Sequence, residues 1–159
     1  MNSKDFSVPA TERYFEDYVP GPVFEYGPIF VTEADIIAFA RQFDPQDIHT
    51  NPEVAARGPF GGIIASGWHT ASLMMRLFAD HFLSKVAAIA SPGVDELRWL
   101  RPVRPGDSLR IRIRVMEARR SRSKPDRGVV HALVEVLNQN REVVMSVKTM
   151  SMLRCRSGC

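Results

Sequence analysis

Asp44 and His49 are the residues of this chain best suited to move a proton. They stand in Phe43-Asp-Pro-Gln-Asp-Ile-His49, a stretch with a proline and no apolar period, so a loop is expected. A carboxylate and a neutral imidazole that converge on one water can serve as general base and general acid. Adding water across an activated double bond needs both, and also a donor for the oxyanion that forms on the neighbouring carbonyl. Gly67, at the mouth of a long apolar run, can supply that donor. An N–H at a helix start has no intrahelical partner and lies at the positive end of the dipole. Plainer roles compete: a loop aspartate bonded to nearby amides, an exposed histidine, and a glycine that lets helix and sheet pack closely.

Other candidates cluster around these three. Gln46 lies between the pair, and Ser66 is placed to cap the helix that Gly67 opens. His69, in the first turn of that helix, reads first as a core histidine and second as a site residue. Trp68 and Met75 read as core side chains that can line an acyl pocket. Arg122 and Lys124 belong to a crowded basic stretch, Arg119 to Arg127. It is a solvated hairpin or a loop that contacts phosphates, and the sequence leaves both open.

The elements that must position these residues can be read from periodicity. Residues 1–22 hold aromatics broken by Pro20, Gly21 and Pro22, and read as an irregular arm. Val23 to Val31 suits a strand, edge or bulged because of Gly27 and Pro28. Thr32 caps a helix whose face is Ile36, Phe39, Ala40 and Phe43. Pro45 ends it and holds Asp44 extended. Asn51-Pro52 opens a short turn. The main helix runs from Ser66 to about Phe82, apolar nearly all round, so other structure should surround it. From Val94 the period becomes two: a strand around Trp99, then Leu109 to Val115, Val130 to Val136 and Val143 to Leu153. Short connections imply an antiparallel meander of these four. One antiparallel sheet with one buried helix is an α+β fold, the sheet curled around the helix. Its edge and outer face need cover, which favours a homodimer or a higher even oligomer.

The whole chain sets wider bounds. Its 159 residues suit a single domain over 1–159, with 154–159 as a short tail. A 45% hydrophobic and 25% charged composition is that of a soluble globular protein, and a net charge of +3 does not call for nucleic acid. The start carries no signal-like apolar run, and the longest stretch free of Asp, Glu, Lys and Arg, Gly58 to Met75, is interrupted by Pro59, three glycines and His69. No membrane span and a cytoplasmic location are expected. Cys155 and Cys159 lack metal-ligand spacing, so neither a metal site nor a disulfide is expected. The Gly62 to Gly67 spacing is followed by Trp68 and His69, not the lysine of a P-loop, and Ser66 lacks the glycine of a nucleophile elbow.

Four segments together resemble the MaoC-like dehydratases, the group that includes the (R)-specific enoyl-CoA hydratases: Phe39 to His49, Phe60 to His69, Leu97 to Asp107, and Ser121 to Gly128. The resemblance spans about Tyr14 to Leu153. It implies a hot-dog fold, Asp44 and His49 as the hydratase dyad, and the Gly67 N–H as oxyanion donor. It implies an acyl-CoA or acyl-carrier-protein thioester as substrate, with no cofactor of the protein's own. Where the family usually has Asp-x-Asn-Pro-x-His, this chain has Gln46 and Asp47 in place of the Asn and Pro. The expected activity is therefore reversible hydration of a 2-enoyl thioester. The alternatives are a non-catalytic acyl-thioester binder or partner subunit and, further off, a hot-dog thioesterase. The last is disfavoured because no Asp or Glu lies between Gly58 and Ala79.

Overall fold

The computed structural model describes residues 5–156. In chain order the elements are β1 (Val23–Phe30), α1 (Glu33–Phe43), α2 (Asp47–Thr50), α3 (Pro52–Arg57), α4 (Gly67–Leu77), β2 (Ala88–Ala90), β3 (Val94–Trp99), β4 (Ser108–Arg120), β5 (Arg127–Leu137) and β6 (Val143–Arg154). All strands belong to one antiparallel sheet in the order β1-β4-β5-β6-β2, with β3 also paired to β6. The sheet curls around α4, the hot-dog arrangement expected from the sequence.

Alternation builds the core. Leu109, Ile111, Ile113 and Val115 of β4 point inward, as do Val130, Ala132, Val134 and Val136 of β5. Met74 and Leu77 of α4, with Phe78 and Phe82 beyond it, fill the space they enclose. At roughly 1.5–3 kcal/mol for each large apolar side chain, this layer is the main source of stability. Arg110, Arg112 and Arg114 fall on the other face, where Arg112 pairs with Glu135 (3.1 Å).

Four expectations need correction. The strand around Trp99 is not in a meander with β4: β4, β5 and β6 form that meander, while β3 joins its far side on β6. The segment 100–107 crosses the sheet end to reach β4, a route that strand alternation does not encode. The main helix does not stay α-helical to Phe82; residues Phe78–Phe82 form a π-helical turn. Phe43, assigned to a buried helix face, is exposed. Last, α4 is not enclosed within this chain, since Trp68 and Met75 are exposed on it. Among the described residues, no helix is long and apolar enough to cross a membrane.

The arm packs on the end of the π-helical turn. The Arg13 guanidinium is buried and donates to the carbonyls of His81 (3.0 Å), Phe82 (2.8 Å) and Val8 (3.1 Å). The Tyr18 hydroxyl donates to Phe82 O as well (2.7 Å). Carbonyls at a helix end have no intrahelical donor, so these two side chains serve as a cap delivered from far away in sequence.

Candidate active site

Asp44 follows the last residue of α1. Its N–H still closes a helical bond to Ala40 O (2.8 Å), and its backbone then leaves the helix, as the proline after it requires. The carboxylate is held from two sides. Gln46 Nε2 donates to Oδ1 (2.7 Å), and Ser66 Oγ donates to Oδ2 (2.7 Å). These bonds, Gln46 first and Ser66 second, hold the Asp44 carboxyl below the usual carboxylate range against the opposing effect of burial, with His49 adding a further lowering. Asp44 is thus an anion at neutral pH.

The segment expected as a loop holds a single helical turn, α2, and His49 lies in it, buried. Its Nδ1 is 2.7 Å from the carbonyl oxygen of Ile64. A carbonyl only accepts, so Nδ1 donates to it, and in the neutral tautomer Nε2 presents a lone pair. Nε2 is 3.4 Å from Asp44 Oδ2. In that tautomer two proton acceptors face each other, an arrangement that suits a water or hydroxyl bridging them from beside the pair.

Ser66 is fully buried and joins the dyad to α4. Its hydroxyl accepts from Trp68 N (3.3 Å), capping the helix, and donates to Asp44. Gly67 is the first helical residue, and its N–H has no acceptor among the described residues. A Cβ on Gly67 would clash with the Trp99 ring. Close packing and a free N–H thus coincide at one glycine, so the two roles read from the sequence do not compete.

His49, Gly67, Thr70, Trp99, Leu100 and Pro102 line a cleft of about 280 Å³. Trp68 stands at the edge of Trp99, ring centroids 5.1 Å apart. Met75 lies on a second, apolar groove of about 300 Å³ with Met74, Phe78, Val94, Met150 and Met152. Eight residues separate Gly67 from Met75, about 12 Å along α4. Both hollows follow the seam between α4 and β3, Trp99 at one end of that strand and Val94 at the other.

The structure does not bring every candidate together. His69 is buried, stacked on Phe39 at 4.8 Å and 11°, and is not among the residues that line the cleft. Arg122 and Lys124 are exposed in the β4–β5 hairpin, beyond the Arg120–Gly128 pair. Val144, on the cleft, lies near the other end of the β5–β6 ladder. Nine residues of strand, about 30 Å, separate those ends, so within one chain the hairpin does not reach the dyad. Missed in the sequence were the wall residues Phe60, Trp99 and Leu100, and Arg101, which lines the same cleft. Their signal was Leu97 to Asp107, where three arginines and two prolines interrupt an apolar run. The Ile64 carbonyl that sets the His49 tautomer had no sequence signal at all.

A family model described as "MaoC like domain" matches residues 18–139, and the chain belongs to that family. A MaoC-like dehydratase from Rhodospirillum rubrum superposes with a TM-score of 0.81 at 37% identity, over 91% of this chain and 98% of that one. The (R)-hydratase PhaJ1 of Pseudomonas aeruginosa superposes with a TM-score of 0.73 at 26% identity, over 90% and 86%. By sequence, Bacillus subtilis YdeM is 31% identical over 124 residues, 78% of this chain and 86% of YdeM. The 3-hydroxyacyl-thioester dehydratase Z of Mycobacterium tuberculosis is 36% identical over 84 residues, 52% of this chain. The chain spans just over half the length of that relative (56%).

Proposed function

We propose that the protein is a hydro-lyase that adds water reversibly to the double bond of a 2-enoyl thioester. The observation that carries this reading is the Asp44–His49 pair at 3.4 Å, with Nδ1 of the histidine committed to Ile64 O. In the hydration direction a water beside the pair donates to both Oδ2 and Nε2. Nε2 takes one of its protons as the oxygen bonds to C3 of the substrate. The electron pair of the double bond moves toward the thioester carbonyl, and the Gly67 N–H stabilises the oxyanion. The imidazolium, steadied by the Asp44 anion, then gives the proton to C2, which restores the carbonyl and the neutral ring. Asp44 orients the water and supports the cation, and one proton serves both halves of the reaction.

The thioester carbonyl would lie in the cleft against Gly67, with the acyl tail running along α4 toward the groove at Met75. Arg101 at the cleft is better placed than Arg122 or Lys124 of the same chain to meet an anionic carrier, CoA or acyl-carrier protein. The dyad needs no group beyond its own side chains and water. A second copy of the chain is the partner we propose for the open side of β3. Among the described residues that strand pairs on one side only, and Val94, Trp99 and Leu100 are exposed near Trp68 and Met75 of α4.

The test is loss of enoyl-thioester absorbance across a series of acyl lengths. Asp44→Asn and His49→Ala are each expected to lower kcat/KM about a hundredfold or more while the proteins stay folded. Wild-type rates in both variants would refute the assignment of the dyad.

A further inference from the structure

The imidazole of His69 sits where an apolar side chain would be the simpler choice. It lies in the first turn of α4, 6% exposed, and its Nδ1 is the one buried side-chain nitrogen or oxygen without a partner among the described residues. Leaving such a group unsatisfied is unfavourable compared with an apolar group of the same shape. Burial lowers the pKa of His69, with the Asp35 carboxylate acting weakly the other way, so the ring is neutral at neutral pH. A charge is therefore not what the residue contributes. What it contributes is a plate. The ring lies flat on Phe39 of α1, 4.8 Å between centroids and 11° between planes.

That contact lies at a mechanically important place. Phe39 is five residues before Asp44, and His69 is three after Ser66. The same two helices thus meet twice within a turn or so: ring on ring at Phe39–His69, and carboxylate on hydroxyl at Asp44–Ser66 (2.7 Å). Asp44 hangs from the end of α1, while Ser66 and Gly67 belong to α4. The distance between the helices decides whether the carboxylate reaches the serine and stands 3.4 Å from His49. We propose that His69 is a positioning residue for Asp44: stacked on Phe39, its ring sets the gap between α1 and α4 and so the reach of the carboxylate to Ser66 and His49. This rests on the dyad assigned above, but the placement of Asp44 can be read without turnover.

The experiment compares wild type with His69→Ala, which removes the plate, His69→Phe, which restores one, and Phe39→Leu, which alters the contact from the other helix. The Asp44 carboxyl is titrated by carbon-13 NMR, and kcat and KM are measured against pH on an enoyl thioester. In His69→Ala and Phe39→Leu the Asp44 midpoint is expected to rise, because the Ser66 bond that lowers it is stretched. kcat should fall about tenfold or more while KM changes less than about threefold. His69→Phe should bring both the midpoint and kcat back toward wild type. An Asp44 midpoint unchanged in folded His69→Ala and Phe39→Leu overturns the proposal. So does a shift that His69→Phe fails to reverse. Failure of the wild type to hydrate any enoyl thioester would sink the assigned activity and leave the titration arm standing.

Discussion

At the scale of single residues, the arrangement turns on a serine. Ser66 uses one hydroxyl twice, as acceptor for the first turn of α4 and as donor to Asp44. Ser66→Ala should therefore act on two properties. Loss of the cap should cost about 1 kcal/mol in chemical denaturation. Loss of the donor should raise the Asp44 pKa toward its ordinary value, leaving Gln46 as the remaining side-chain donor. The sign for stability follows. Because the folded-state pKa of Asp44 is depressed, its contribution is present above the unfolded value of about 4 and is lost as pH falls through the folded value. Ser66→Ala should shrink that contribution, so the variant differs most from wild type above pH 4 and least in strong acid. A pH series of urea denaturation curves measures this, and a difference that grows toward low pH would contradict it.

At the scale of elements, the far contacts matter more than the near ones. The arm reaches the end of the central helix through Arg13, whose buried guanidinium serves the carbonyls of His81 and Phe82. Arg13→Ala should cost about 1–3 kcal/mol, since it removes the side-chain donor to His81 O and leaves Phe82 O with Tyr18 alone. kcat of the folded enzyme should hardly change, because the arm meets α4 at the end away from Gly67. Thermal denaturation alongside steady-state kinetics distinguishes the two effects. This contact also shows where sequence reading stops. Local signals worked: Thr32 caps α1, Ser66 caps α4, Pro52 opens α3, and the alternation in β4 and β5 gives their inward faces. That Asp44 and His49 come together (3.4 Å) was legible because their spacing is local. The position of β3 on β6, the Ile64 carbonyl behind His49 and the Trp99 ring over Gly67 were not. Each depends on a partner 15 or more residues away, which no period or cap encodes.

At the scale of the whole molecule, one chain leaves an apolar face along β3 and the outer side of α4. Trp68, Met75, Val94, Trp99 and Leu100 are all at least 45% exposed. The hollows that would hold the thioester and its tail open along this face, so a second copy there would also wall the substrate in. With a second copy proposed there, a charge placed in the face, such as Val94→Lys, should shift the proposed dimer toward monomer in light scattering and lower the proposed activity with it. A wild type that is monomeric at all concentrations would remove the second copy from the picture. The same expectation accounts for an α4 that is apolar nearly all round but uncovered on one side in a single chain.

The histidine rides on one turn. α2 is four residues long, between Gln46 and Asn51, and it is tied to the segment before α4 by two bonds, His49 Nδ1 to Ile64 O and Ile64 N–H to Ile48 O. A helix that short has little free energy of its own. The dyad can therefore come apart in a local fluctuation that leaves the sheet and α4 untouched. With the proposed activity resting on this pair, heating would then silence it while most of the ordered backbone persists, and cooling would restore it without refolding.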